Sequence, residues 1–284
     1  MNTKDVFNFP IHLGTYDEFV EQILQLAICG TSSYVCVASV HQLVEAYYNP
    51  LYSSISRGAT IVTPDGMPIT WALKLLYKIK QQRIAGMDLM PDLLSGAAKK
   101  DIPVYIYGGT QKMLDSTNMY IKENFPNLIL AGLYSPPFRL MSAEEDEVVC
   151  NLINQSGAQL VFVVLGCPKQ ECWMASMKGK INAAMVGIGA AVPVMIWLQK
   201  RAPRWMQHSG LEWLYRLYQE PRRLWKRYFI TNNVFLYLLI KEKMKLMLRK
   251  FISVFIPQGK LQVLPKEYES INNRNGIANH KKAS

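Results

Sequence analysis

Residues 61–74, IVTPDGMPITWALK, place a carboxylate at a position suited to chemistry. An apolar run, Ile61-Val62-Thr63, stops at Pro64-Asp65-Gly66, and an apolar helical pattern starts directly afterwards. Asp65 therefore falls at the carboxyl end of an expected strand. An acid held there can act as a general base, taking the proton from an attacking hydroxyl. It can equally be a turn or N-cap residue, since Pro-Asp-Gly is a good turn sequence. The residues alone leave both roles open.

Three further expected strand ends carry polar or glycine-rich turns: Ser39-Val40-His41-Gln42, Gly108-Gly109-Thr110 and Gly166-Cys167-Pro168-Lys169-Gln170-Glu171. In the last two, glycines would let the backbone approach a phosphate, and the following helix N-terminus supplies free N–H groups and a positive dipole. Neither is a GxGxxG fingerprint or a GxxxxGK[ST] loop. Two such turns in one sheet, with an acid at a third strand end, point to a nucleotide-type ligand. No Asp-x-Asp pair is present to hold a divalent metal on a sugar nucleotide, and His12, His41, His208 and His280 show no metal spacing. No metal and no cofactor are expected.

These turns need a scaffold. Short apolar runs at 33–39, 59–63, 102–107, 128–133, 159–165 and 182–187 alternate with amphipathic segments. The last four are nearly continuous in apolar residues, as strands covered on both faces of a parallel sheet should be. Between them, one helical pattern opens on Thr110 and another on Ser142-Ala143-Glu144-Glu145, a capping-box sequence. Such alternation predicts an α/β fold, doubly wound around a mostly parallel sheet. Ligands of such sheets bind beyond the carboxyl ends of the strands, where all four turns lie.

Residues 181–198, INAAMVGIGAAVPVMIWL, are apolar enough to pass for a membrane span, but Asn182, two glycines and Pro193 interrupt them. They read as a buried strand, a Gly turn and a short helix. Five cysteines without zinc spacing read as reduced, small hydrophobes, and the N-terminus MNTKDVFNFPIHLG has no basic-then-apolar export signal.

After about residue 200 the pattern becomes helical and basic. Residues 199–250 hold thirteen Lys/Arg against three Glu, a net +10 of the chain's +11. Such a block points to an anionic membrane or a nucleic acid. In 233–256 the apolar residues Phe235, Leu238, Leu239, Leu246, Phe251, Ile252 and Phe255 recur at helical spacing, bordered by Lys241, Lys243, Lys245, Arg249 and Lys250. That pattern suits a helix lying on a lipid surface; an ordinary amphipathic helix packed on the α/β domain is the alternative. The expected organisation is a catalytic α/β domain (1–199), a basic helical membrane-associating appendage (200–256) and a disordered tail (257–284).

Six blocks then carry a resemblance: PDGMPITWA with RIAGMDL, YIYGGT, VVLGCPKQECWMA, VGIGAA, and RAPRWMQHSGLEWLYRLYQEPRRLWKRY. In this order they resemble the WecG/TagA/CpsF family of bacterial glycosyltransferases, over about residues 10–245. The resemblance implies a Rossmann-like, inverting, metal-independent transferase. It would move a sugar, typically N-acetylmannosamine or its uronic acid, from a UDP-sugar to an undecaprenyl-diphosphate-linked acceptor at the cytoplasmic membrane face. Teichoic acid, capsule and exopolysaccharide are built this way. By position, Asp65 corresponds to the family's proposed base, with Ser39 beside it as a second catalytic residue. Arg83, near Asp88, would face a diphosphate. His41, Gly108, Gly109, Gly166, Lys169, Gln170, Glu171, Gly187 and Gly189 would contribute to substrate binding, Gln170 and Glu171 on the nucleotide. Arg216, Arg222, Arg223 and Arg227 would close over the site from the appendage.

Two departures from the family pattern stand out. Ser39-Val40-His41 replaces the usual Thr-x-Asn, and Val192-Pro193 replaces Phe-Asp after the Gly187-Ile188-Gly189 loop. Expected partners are the UDP-sugar donor, the lipid-diphosphate acceptor and an anionic membrane surface; nucleic acid is not expected, and a homo-oligomer is compatible with this organisation. Two readings from other classes stay open at this point. One is a catalytically inactive subunit of a polysaccharide-synthesis complex, suggested by the altered loop. The other is a basic nucleic-acid-binding protein, suggested by Trp205, Trp213, Tyr215, Trp225 and Tyr228 among the arginines.

Overall fold

A computed structural model describes residues 1–255, with the side chains of Lys250 and of residues 252–255 excepted. The expected tail (257–284), with His280, lies outside the described residues, as do the side chains of Ile252 and Phe255. The chain opens with a hairpin of β1 (Asn2–Val6) and β2 (Phe9–Leu13), followed by α1 (Tyr16–Ile28). The succession β3 (Ser33–Ala38), α2 (Val40–Tyr48), α3 (Pro50–Arg57), β4 (Ile61–Pro64), α4 (Met67–Tyr77) and α5 (Gly86–Lys99) comes next. Then follow β5 (Val104–Gly108), α6 (Gln111–Asn124), β6 (Leu130–Tyr134), α7 (Ala143–Gln155), β7 (Leu160–Val164), α8 (Lys169–Met177) and β8 (Ala184–Gly187). The rest is helical: α9 (Ala191–Met195), α10 (Arg204–His208), α11 (Glu212–Gln219) and α12 (Pro221–Phe255).

The six strands β3–β8 form one all-parallel sheet in the order β4-β3-β8-β7-β5-β6, flanked by helices: a Rossmann-like α/β fold, as the alternation predicted. Side chains alternate across it. Val35 and Val37, Ile106, Phe162 and Val186 face a core completed by Phe19, Ile23 and Leu24 of α1 and Leu89, Leu93 and Leu94 of α5. Tyr34 and Cys36 point to the opposite face and are equally buried. One strand departs from expectation. β6 is half-buried along its whole length rather than enclosed, because it is an edge strand with a single partner.

Local chemistry explains the ends of the elements. Thr110 accepts from the Met113 amide at the start of α6, and Ser142 with Glu145 forms a complete capping box on α7. Gly108 ends β5 at φ +117, where a Cβ would lie 2.6 Å from the Val164 carbonyl of the neighbouring strand, so only glycine fits. Residues 181–198 form the expected strand, turn and short helix, and among the described residues no helix is long and apolar enough to cross a membrane.

The chain divides into a compact unit, Met1–Ile240, and a second unit from Lys241 onward. The first unit therefore takes in α10, α11 and the opening turns of α12. Leu224, Phe235 and Leu238 are buried there, and the Phe235 ring meets Phe7 of the hairpin turn edge-on at 5.3 Å. This corrects the expectation that Phe235 and Leu238 present an apolar face to lipid: both are buried, Phe235 against the hairpin. The exposed apolar side chains of this stretch are Leu236, Tyr237 and Ile240, and, in the second unit, Met244, Met247, Leu248 and Phe251. The cysteines are all free thiols, but Cys29 and Cys172 are exposed, so these two do not serve as core hydrophobes.

Candidate active site

At the carboxyl ends of β3, β4, β7 and β8 lies a cavity of about 450 Å³, roofed by α11 and the first turns of α12. Its place follows from the topology. β3 sends its chain outward to β4 and has β8, the last strand, on its other side, so the connections diverge and leave a crevice there.

Asp65 sits in this crevice, one residue past β4. Its amide donates to the Ala38 carbonyl at 3.0 Å, which sets Asp65 beside Ser39 at the end of β3. Gly66, not Asp65, is the N-cap of α4, so the carboxylate is not consumed as a helix cap. Burial pushes the Asp65 carboxyl up to about 7, Glu212 and Asp88 adding to the rise and Arg83 and Arg216 opposing it. An acid poised there can accept a proton at neutral pH. Ser39 begins α2 without a capping bond, which leaves its hydroxyl available to the cavity.

Arg83 is fixed by the strand beneath it. The Ile84 amide donates to the Pro64 carbonyl at 2.9 Å, tying the segment before α5 to the end of β4. The guanidinium pairs with Glu212 at 2.7 Å and faces Asp88 at 3.5 Å, and Asp88 in turn holds Arg201 at 2.6 Å. Arg216, Arg223 and Arg227 also line the cavity, with Arg223 paired to Glu220. The N-termini of α2, α4 and α8 follow these strand ends and that of α5 lines the same cavity, so helix dipoles and arginines place positive potential on one crevice.

The floor is a buried amide network. Gln170 Oε1 accepts from the Gly166 amide at 3.1 Å, while Gln170 Nε2 donates to Glu171 Oε1 at 2.8 Å. Gln42 donates to the same Glu171 oxygen at 3.0 Å, tying α2 to α8. Burial pushes Glu171 above the usual carboxylate range. Gly187 follows from this packing, because a Cβ there would come within 3.0 Å of the Gln170 amide and 2.7 Å of Met174. His41 lines the wall, its Nδ1 buried and unpartnered; burial, with Arg227 next, lowers its pKa and holds it neutral.

Of the residues singled out from sequence, Ser39, His41, Asp65, Arg83, Gly166, Gln170, Gly187, Gly189, Arg216, Arg223 and Arg227 line the cavity. Six do not. Asp88 braces Arg83 and Arg201 from behind, and Glu171 lies under the floor. Gly108 and Gly109 end β5, separated from β8 by β7. Lys169 and Arg222 are exposed outside the lining. Sequence reasoning missed Glu212, Gln42, Trp213, Tyr228 and Asn232, which also line it. Gln42 stands in the Ser39–Gln42 turn, Glu212 and Trp213 in the GLEWLYRL block and Tyr228 among the aromatic residues between the arginines, but nothing in their own spacing marks them as site residues. Among the described residues, no group of three or more His, Cys, Asp or Glu is placed to hold a metal ion.

The model of the "Glycosyl transferase WecG/TagA/CpsF family" matches residues 4–249. An N-acetylglucosaminyldiphosphoundecaprenol N-acetyl-beta-D-mannosaminyltransferase of Bacillus spizizenii is 35% identical over 184 residues, 64% of this chain and 69% of that protein. The protein of the same name from Bacillus subtilis is 29% identical over 254 residues, 86% of this chain and 94% of the relative.

Proposed function

Because the chain belongs to the WecG/TagA/CpsF family of glycosyl transferases, we propose that it transfers a sugar from a UDP-sugar to a lipid-diphosphate-linked acceptor with inversion and without a metal. N-acetylmannosamine or a related hexose or uronic acid is the donor sugar we favour, given the names of the relatives. An N-acetylglucosaminyl-diphospho-undecaprenol acceptor follows from the same names.

The observation that carries the reading is Asp65, a carboxylate with its pKa raised to about 7, held at the strand edge in a crevice that also gathers Arg83, Arg216, Arg223 and Arg227. In the reaction the acceptor hydroxyl attacks the anomeric carbon, and the bond from that carbon to the UDP oxygen breaks. Asp65 takes the hydroxyl proton, which makes the oxygen a competent nucleophile. Ser39, next to it, orients that hydroxyl. The departing UDP gathers negative charge, and fixed arginines stabilise it without reorganising. Gln170 and the Gly187–Gly189 turn shape the floor, and His41 offers its Nδ1 as an acceptor to a substrate N–H or O–H.

The acceptor is lipid-linked, so the enzyme would work as a peripheral protein on the cytoplasmic face of the membrane. The basic residues of 199–250 and the exposed apolar side chains near the end of α12 are the attachment. A donor screen tests the proposal: UDP-sugars incubated with a short-chain lipid-diphosphate N-acetylglucosamine, in excess EDTA. Product from a UDP-N-acetylhexosamine or uronic acid is expected. No product from any UDP-sugar, or product only after Mg²⁺ or Mn²⁺ is restored, would contradict it.

A further inference from the structure

Arg83 does not present a free guanidinium to the cavity. Its Nη1 donates to Glu212 Oε2 at 2.7 Å, and its Nη2 faces Asp88 Oδ2 at 3.5 Å. Both terminal nitrogens thus meet carboxylates already. Glu212 comes from a distant part of the chain, the first turn of α11, and shares the cavity wall with Asp65. The pair is well shielded, with side-chain exposures of 15% and 18%.

The placement of Glu212 is unfavourable in one respect. The charges facing Asp65 are Glu212 and Arg216 on α11, Arg83 on the segment before α5, Asp88 on α5 and Arg201 before α10. Among them Glu212 does most to oppose ionisation of Asp65. An acid whose only role is to bind α11 to the domain gains nothing from lying beside another acid. Its position does suit a different task. Carboxylate and phosphate both present paired oxygens to the planar fork of a guanidinium, and each can replace the other on an arginine.

We propose that Glu212 stands in for the donor's diphosphate: its carboxylate occupies Arg83 in the empty enzyme, and the incoming donor displaces it. This rests on the reading of the crevice as a UDP-sugar site. The exchange keeps Arg83 Nη1 paired throughout, so a shielded donor that Asp88 does not reach is never left unmet. It also makes Glu212 a specificity-determining residue. A ligand must supply enough negative charge to outcompete an intramolecular carboxylate, which favours a diphosphate over a monoester or a neutral sugar. Arg216 lies four residues after Glu212, one turn along the same face of α11. Release of Glu212 therefore leaves that face free to turn Arg216 toward the same diphosphate.

The test is UDP titration into the full-length chain, wild type against Glu212→Gln, followed by calorimetry, with the pH profile of kcat/KM for both. Glutamine keeps the size but removes the competing charge. UDP affinity should tighten about three- to tenfold, as removal of like-charge opposition predicts, and the acid limb of the pH profile should move to lower pH. Unchanged or weaker UDP binding by a folded Glu212→Gln protein overturns the exchange and leaves Glu212 as a brace for Arg83. Should that variant not fold, a crystal structure of the wild type with UDP decides. An Arg83–Glu212 separation beyond about 4 Å, the limit of an ion pair, supports the exchange; a retained contact overturns it. Wild type that binds no UDP defeats the donor reading itself, whereas wild-type binding with Glu212→Gln unaffected defeats only the role of Glu212.

Discussion

Asp65 is kept from ionising easily by the same burial that aims it at the crevice, and this has a measurable consequence. A base must be unprotonated to work, so kcat/KM should rise with pH through a midpoint near 7 and level off above it. A flat profile between pH 5 and 8 would mean that another group takes the proton. Asp65→Asn should lower kcat by about 10²–10⁴ while leaving UDP affinity within a fewfold. Stability should move the other way. Between its ordinary value of 3.8 and about 7, the folded chain binds more protons at Asp65 than the unfolded chain does, so this group makes stability fall as pH rises through that window. Asparagine has no such term, so the variant should melt above the wild type at pH 8, and the difference should vanish below about pH 4. At this scale the sequence was informative where chemistry is local. Pro64-Asp65-Gly66 shows a strand ending on an acid, and glycines mark the turns around it. Glu212 carries no such mark, because its partner Arg83 is 129 residues away and only the fold brings the two together. The same holds for Arg201 and Asp88.

Elements with strong periodicity were legible, and those held by tertiary contact were not. The parallel strands β5, β7 and β8 are nearly continuous in apolar residues because both of their faces are buried, and the capping residues Thr110 and Ser142 mark their helices in the sequence. The N-terminal hairpin gives little signal. β1 is the polar NTKDV, and its turn uses Phe7 and Asn8 at φ 57 and 65, in place of the Asn-Gly that identifies such turns in sequence. What holds it is packing: Phe7 on Phe235, Tyr77 donating to the Asp5 carbonyl, and the Val62 amide donating to His12 Nδ1 at 3.0 Å. The last bond ties the hairpin to β4, the strand that carries Asp65. Helical spacing alone could not tell which side of α12 faces the protein, since Phe235 and Leu238 read equally well as lipid-facing. Phe235→Ala should cost about 3–5 kcal/mol, the range for a buried phenylalanine, seen as a lower Tm in thermal denaturation. An unchanged Tm would mean that the hairpin contact adds nothing to the fold.

For the whole molecule, positive charge is concentrated in one stretch of the sequence, as would suit the proposed lipid-linked acceptor. The net +10 of 199–250 lies on α10, α11 and α12 and on the segment just before them. Each basic residue near an anionic surface contributes on the order of 1 kcal/mol, screened by salt. Sedimentation with phosphatidylglycerol vesicles should therefore bind the protein at low salt and release most of it at high salt. Replacing Met244 and Met247, both exposed, by glutamate should weaken the binding at either salt. Equal retention on neutral vesicles would show that charge is not the attachment. A crevice that pairs Asp65, as the proposed base, with arginines for a leaving diphosphate suits a single displacement at the anomeric carbon. The stereochemistry of the transferred sugar tests that description most directly, by NMR of the disaccharide lipid formed by the wild-type enzyme. An anomeric configuration opposite to that of the UDP-sugar donor is expected. Retention of the donor's configuration would contradict it.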